Sequence, residues 1–362
     1  MESAGYGAYK YCNKKMEKNN KSNEIKNLKW LVITSLIITS PMIILLIFNG
    51  AEACCVVFPS LHESTFDMFI EDLKYKLVFL NDWRVQLLLA TPVQFIIGAR
   101  FYKRSYCAIR AKAFNGDILV TIGTTVTFFY SLYISFFGIA DAAGLKIVYY
   151  ESGMFIFTIV LIGKYLEEII KGKYSKGIKN LVEIQSKTFS DESEAKYNEM
   201  IKIEQEFQNS TASIQKLVSK VCVIFVPAVI LISIATFITW YYVIFHSIPY
   251  FLSKSIIYSV CVLVAACPSA IVLAIPTAIK AGVGIIAREE IGIKNGDITE
   301  RISKGIKRKI VENLFLALIY NIIAISFAVT GQLTPIIAAT SMSICSLIVL
   351  INSWSLKWIF RK

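Results

Sequence analysis

Long apolar runs, separated by polar segments whose charge alternates in sign, set the pattern of this chain. Eight such runs occupy 31–48, 85–102, 118–138, 147–165, 221–245, 255–275, 314–329 and 336–351. As helices rising 1.5 Å per residue they would measure about 24–38 Å, against about 30 Å of hydrocarbon to cross. The first thirty residues carry seven lysines. The segment 49–82 leans acidic, with Glu52, Glu63, Asp67, Glu71, Asp72 and Asp82 against Lys74 and Lys76. Basic residues return at 99–112 and at Lys171, Lys173, Lys176 and Lys179, and 280–314 holds eight basic and five acidic residues. Lys and Arg gather on the cytoplasmic side of membrane proteins, so this alternation predicts eight crossings with both termini in the cytoplasm. The expected fold class is an all-α polytopic membrane protein with eight transmembrane helices.

The same pattern divides the chain. A cytoplasmic tail covers 1–30, helices one to four 31–185, a linker 186–220, helices five and six 221–276, a second linker 277–313, and helices seven and eight 314–362. The run 221–245 is expected to kink at Pro227. Residues 186–208 are polar with widely spaced apolar positions, and fall short of the roughly 50 residues an independent domain needs. They read as a linker or an amphipathic helix.

Composition supports the membrane assignment: 55% of residues are hydrophobic and 13% aromatic, and the mean hydropathy is +0.57. The net charge of +12 comes largely from Lys and Arg flanking apolar runs, which reflects topology and not a nucleic-acid partner. The expected surroundings are the lipid bilayer. Eight cysteines, at 12, 54, 55, 107, 222, 261, 267 and 345, include no CxxC pair, so neither a disulfide framework nor a zinc site is expected. The chain shows no secretory signal, and a bacterial-type plasma membrane is the expected location.

Candidate chemistry centres on 255–275, SIIYSVCVLVAACPSAIVLAI. Pro268 donates no hydrogen bond and its ring crowds the preceding turn, so the helix should break and free the Val264 carbonyl at bilayer depth. A free carbonyl beside the Cys267 thiol makes an ion site; a plain kink beside a buried cysteine is the alternative. Polar side chains inside spans are costly and mark functional positions. Tyr320 and Asn321 are adjacent and about 100° apart around their helix. Met342, Cys345 and Ser346 share one face. Glu151 stands at the outer end of the fourth run and Glu167 at its inner end. Soft Cu(I) prefers thiolate and thioether donors. Each residue alone has an ordinary role: Met342 and Tyr320 in packing, Ser346 bonded to its own helix, Asn321 as interhelical glue, the glutamates solvated.

Taken together, these segments resemble the membrane part of the copper-transporting P-type ATPases. LLLATPVQFIIGARFYKRSYCAIR and NGDILVTIGTTVTFFYSLY are similar to that family's second and third spans, and YYESGMFIFTIVLIGKYLEEIIKGKYSKGIKNLVEIQSKT to its fourth. VLVAACPSAIVLAIPTAIKAGVGIIAREEIGIKNG resembles the ion-site helix, and NLFLALIYNIIAI with SMSICSLIVLINS the last two. MESAGYGAYK resembles the end of the family's amino-terminal metal-binding domain. The resemblance implies Cu(I) as cargo, Cys267 as a transport-site thiolate, and Tyr320, Asn321, Met342 and Ser346 completing the pathway. It implies entry at Glu167 and exit at Glu151, with a cytoplasmic copper carrier or an intact P-type ATPase as partner.

Departures from the family pattern carry equal weight. The family's CPC is here Cys267-Pro268-Ser269, its Asn-Met-Asp run is Asn115-Gly116-Asp117, and an aspartate often found before span five is Ser219. No TGE loop lies between Thr188 and Ala195. No DKTGT aspartate, GDGxND run or GxxxxGK[ST] loop follows Asp297. Phosphoryl transfer needs an acceptor and positioning groups, so no ATP site and no ATP hydrolysis are expected. Three readings follow: a chain that binds or leaks a soft metal through Cys267, Met342 and Cys345, the last supplying a thiol on the Met342 face where Ser269 lacks one; a non-catalytic partner or scaffold; and an inactive remnant of a copper transporter.

Overall fold

The computed structural model describes residues 25–44, 46, 78–111, 114–138, 146, 148–186, 218, 220–244, 251–288 and 296–359. The described elements are all helices. In chain order they are α1 (Ile25–Ile44), α2 (Trp83–Pro92), α3 (Ala99–Arg110), α4 (Gly116–Phe137) and α5 (Tyr150–Ser186). Then come α6 (Lys220–Ile244), α7 (Phe251–Ala265), α8 (Ser269–Arg288), α9 (Gly296–Val329) and α10 (Pro335–Ile359). The tail before residue 25, the acidic segment 49–77 with Cys54 and Cys55, and most of the 186–220 linker lie outside the described residues. Cys12, Ser219, the Thr188–Ala195 stretch and the last three residues do too.

By length and composition six helices can cross a membrane, with α7 and α8 counted as one broken span, and the bent pair α2–α3 makes a seventh. The fourth expected crossing folds as α5, a single helix of 37 residues that continues well past the apolar run. Glu151, Lys164, Glu167 and Glu168 fall along it, so it is less uniformly apolar than the other spans. Large apolar side chains face outward on several helices, among them Leu88, Ile96, Phe137, Ile224 and Val243. An outward apolar face of this kind suits lipid and not water.

The second run, expected as one span, bends by 46° between α2 and α3. A π-helical turn, Val93–Ile97, leads into the bend at Gly98. Any side chain at Gly98 would lie 2.2 Å from the Gln94 carbonyl oxygen. Three other prolines do not end their helices: Pro41 lies inside α1 and Pro227 inside α6, and Pro276 lies inside α8.

Burial identifies the centre. The apolar window of α7–α8 is the most enclosed of the six spans at 67%, against 61% for α4, 44% for α10 and 28% for α1, α6 and α9. The broken helix is therefore the one the others surround. Two hydroxyl pairs fix α10 beside α8: Ser269 with Ser346 at 2.9 Å, and Thr277 with Ser353 at 2.9 Å. Both sequences advance together between these contacts, so the helices run parallel and in step. Helix α9 returns antiparallel to α10 through a tight turn at Gly331, whose φ of 75° favours glycine. Asn313 anchors its far end by donating to Ser353 at 2.8 Å and accepting from Asn352 at 2.8 Å.

Helix α5 meets α10 at Gly163, where an added Cβ would stand 2.7 Å from Ser343 Oγ and 2.9 Å from its Cβ. A rotamer change removes the first clash but not the second. Gly163→Ala is expected to lower the thermal stability of the detergent-solubilised chain by about 1–3 kcal/mol, the cost of overpacking a tight contact. Gly153→Ala is the matched control. Its added Cβ meets nothing closer than the Thr124 carbonyl at 4.0 Å, so its stability should hold or rise.

Candidate metal site at the helix break

Helix α7 closes with the Ala266 N–H donating to the Val262 carbonyl at 3.2 Å. Helix α8 opens with Ile271 and Val272 donating to the Pro268 carbonyl at 3.1 and 3.3 Å. Between them Cys267 stands outside either helix, as Pro268 led the sequence reading to expect. Its side chain is buried, with the Ser269 backbone and hydroxyl in hydrogen-bonding reach of the sulfur.

The break is sealed on one side by the start of α4. Asn115, in extended conformation, precedes the first helical residue, Gly116. A Cβ built on Gly116 would lie only 2.0 Å from Cys267 Sγ. The sulfur occupies the space a side chain at 116 would need. Asn115 beside it has a buried Oδ1 with no partner. Next along α4, Asp117 forms an ion pair with Lys164 of α5, and both charges lie within electrostatic reach of the thiol. The Lys164 ammonium also sits 4.7 Å from the centroid of the Phe101 ring.

Helices α9 and α10 close the other side. Because Ser269 is level with Ser346, Cys267 lies along the axis in the interval that holds Met342 and Cys345. Met342, Cys345 and Ser346 are all buried, on one face of α10. Ser346 is held by Ser269, and its hydroxyl also reaches the Met342 carbonyl at 3.4 Å. Tyr320 bonds Ser341 at 3.0 Å and lies within electrostatic reach of both Cys267 and Cys345.

Asn321 is 1% exposed, and neither its amide nitrogen nor its oxygen has a hydrogen-bond partner. Its direction follows from its helical neighbours. Ala317, four residues before it, packs in the apolar cluster that contains Cys345. Ala324, three residues after it, packs in the cluster that contains Cys267 and Met342. Asn321 shares their face and so points at the boundary between the two clusters.

Of the residues singled out from sequence, Cys267 and Met342 share one buried cluster, Cys345 lies in a second, and Tyr320 packs against both, while Ser346 bonds Ser269, two residues after Cys267. Glu167 stands one helical turn beyond Lys164 on α5, partly buried. Glu151, in the first turn of α5, is about 20 Å from Lys164 along the helix axis and is not part of this cluster. Among the described residues no three His, Cys, Asp or Glu side chains converge to hold a metal. The groups on the helices around the break are sulfur, amide and hydroxyl, among which a thiol and a thioether are donor types that suit a soft monovalent cation.

Sequence reasoning missed the Asp117–Lys164 pair and the closeness of Gly116 to the thiol. Two opposite charges at the edges of apolar runs were the available signal. Gly116→Leu is expected to force Cys267 or α4 to move and to cost about 1–3 kcal/mol in detergent melting. An unchanged melting curve would refute the contact.

Fold and site together define a polytopic α-helical membrane protein whose most buried helix is broken at a thiol and lined by polar groups. Comparison with curated proteins adds the lineage. The chain is 30% identical to the copper-exporting P-type ATPase of Bacillus subtilis over 337 residues, covering 71% of this chain and 41% of that protein. It is 29% identical to the probable copper-importing P-type ATPase A of Enterococcus hirae over 387 residues, covering 83% of the chain and 49% of the relative. A copper-exporting P-type ATPase of Staphylococcus epidermidis matches at 25% over 380 residues, again 83% of the chain. The chain is a homologue of the copper P-type ATPases, and it spans under half the length of these relatives. Aligned lengths of 380 and 387 exceed the whole 362-residue chain, so those two relatives contain stretches with no counterpart here. No family model matches the chain.

Proposed function

We propose that this chain holds Cu(I) at the break between α7 and α8 and conducts it across the membrane without hydrolysing ATP itself. The observation that supports the reading is a thiol at the break of the central helix, Cys267, in the same buried cluster as Met342 of α10, with Asn321 of α9 buried and unpartnered. A buried amide with no partner costs about 1–3 kcal/mol, and a bound cation would use its oxygen. Homology to copper ATPases supports the identity of the cargo. In this reading Cys267 is the thiolate ligand, Met342 the thioether, and Asn321, Tyr320 and Ser346 shape the polar part of the pathway. Glu167 lies toward the entry and Glu151 toward the exit.

The rest of the reading follows the same line. Counting α5 as a crossing and the bent pair as another gives eight spans, with both termini cytoplasmic and the plasma membrane as location. The linkers 186–220 and 277–313 stand in for soluble domains. A cytoplasmic copper carrier, or an intact P-type ATPase, delivers or drives the ion.

The test is a titration of the purified chain in detergent with Cu(I) against a competing chelator, with Zn²⁺ and Ca²⁺ in parallel and phosphate release from Mg-ATP followed in the same sample. Retention of about one equivalent of Cu(I) is expected, with no phosphate release above the protein-free rate. Surrender of all the copper to the chelator would reject the metal site. Sustained ATP turnover by the pure chain would reject the non-hydrolytic assignment.

A further inference from the structure

We infer that Cys345 is a second thiolate ligand, so that the cation is held between sulfurs on the broken helix and on α10. The inference rests on the Cu(I) reading above and extends it to a residue that reading leaves unused. Three observations carry it. First, the Ser269–Ser346 and Thr277–Ser353 contacts hold α8 and α10 in step, which sets Cys345 at the level of the break. Second, Cys345 lies on the same buried face as Met342, and Tyr320 lies within electrostatic reach of Cys345 and Cys267 alike. Third, Asn321, its amide without a partner, points to the boundary between the cluster holding Cys345 and that holding Cys267 and Met342. The orphaned amide marks a place built for something polar.

The other buried thiols are differently placed. Cys261 donates to the Leu333 carbonyl at 3.2 Å. Cys222 lies in the first turn of α6, in the buried cluster that also holds Cys345 but not Cys267. Ser269 at the break offers a hydroxyl already engaged with Ser346, and a hydroxyl is a poor ligand for a soft cation. Thiolate donation from Cys345 supplies what that position lacks. On binding, each thiol forms a bond to Cu(I) and gives its proton to water, with no change in oxidation state.

The test compares Cu(I) affinity, by chelator competition on the full chain, in the parent, Cys267→Ser, Cys345→Ser, Cys261→Ser and the double variant Cys345→Ser/Ser269→Cys. The expected result is a loss of at least about tenfold to 100-fold in Cys345→Ser, on the scale of disturbed metal coordination. Cys261→Ser should match the parent. The double variant should recover most of the affinity, because a thiol returns at the same level from the facing helix. Parent-like binding by Cys345→Ser, with loss only in Cys267→Ser, would overturn this assignment and leave the Cu(I) reading standing. Loss in Cys345→Ser without recovery in the double variant would also overturn it, since the defect would then be one of packing. A parent chain that binds no copper would remove both.

Discussion

Cys267→Ala is expected to lower the affinity of the chain for Cu(I) by about 100-fold or more while leaving its helical content unchanged. Disturbing a residue that merely orients a ligand costs 10- to 100-fold in metal affinity, and Cys267 is placed as the ligand itself. The change should be selective. The thiol sits in a gap between two helices whose hydrogen bonds begin and end without its side chain: α7 closes on the Val262 carbonyl and α8 opens on that of Pro268. Alanine keeps the backbone path and leaves a small void beside Gly116. A chelator titration separates the outcomes. Equal affinity in variant and parent would show that the copper is held elsewhere.

Asp117→Asn has the largest expected effect on stability. Its carboxylate and the Lys164 ammonium pair with side-chain exposures of 11% and 19%, so both charges are largely withdrawn from solvent. Removing one member of such a pair leaves the other uncompensated, at a cost of about 3–5 kcal/mol. The Phe101 ring below Lys164 offsets about 1 kcal/mol of that through its negative face. The thermal midpoint in detergent should therefore fall steeply, by more than for any glycine variant above. Adding Lys164→Met to Asp117→Asn should restore most of the loss, because the uncharged pair of similar volume leaves no buried charge. A double variant as unstable as the single would show that the pair matters through geometry and not through charge compensation.

The parts of this architecture that are legible in the sequence are those that depend on local chemistry. Pro268 in an apolar run foretells a break, and α7 does end at Ala265, with α8 starting at Ser269. Helices do continue through other prolines: α8 passes through Pro276, and Pro41 and Pro227 lie within α1 and α6. Proline alone does not decide where a helix parts. At 268 the neighbours contribute: Gly116 lets α4 close against the thiol, and Ser269 ties the new helix to α10. Neither contact can be read from sequence spacing, because each joins residues far apart in the chain.

The i, i+3, i+4 spacing of Met342, Cys345 and Ser346 places them on one face, but only the register between α8 and α10 puts that face at the level of Cys267. Asn321 could be read equally as interhelical glue, and its lack of any partner is a tertiary fact. The bend at Gly98 was hidden for a similar reason. Apolar runs report length and not direction, and the 46° turn follows from a π-helical turn next to a glycine packed against the Gln94 carbonyl. Lys164 and Asp117 escaped notice because charges near the ends of apolar runs read as solvated flanks, whereas here the fold carries both inward.

The most direct test of the central claim is X-ray absorption at the copper edge on the detergent-solubilised chain loaded with one equivalent of Cu(I), alongside Cys267→Ala. A sulfur site at the helix break predicts a low-coordinate Cu(I) shell dominated by sulfur in the parent and a measurable loss of sulfur neighbours in the variant. A shell of oxygen and nitrogen alone, or identical spectra from the two proteins, would contradict it.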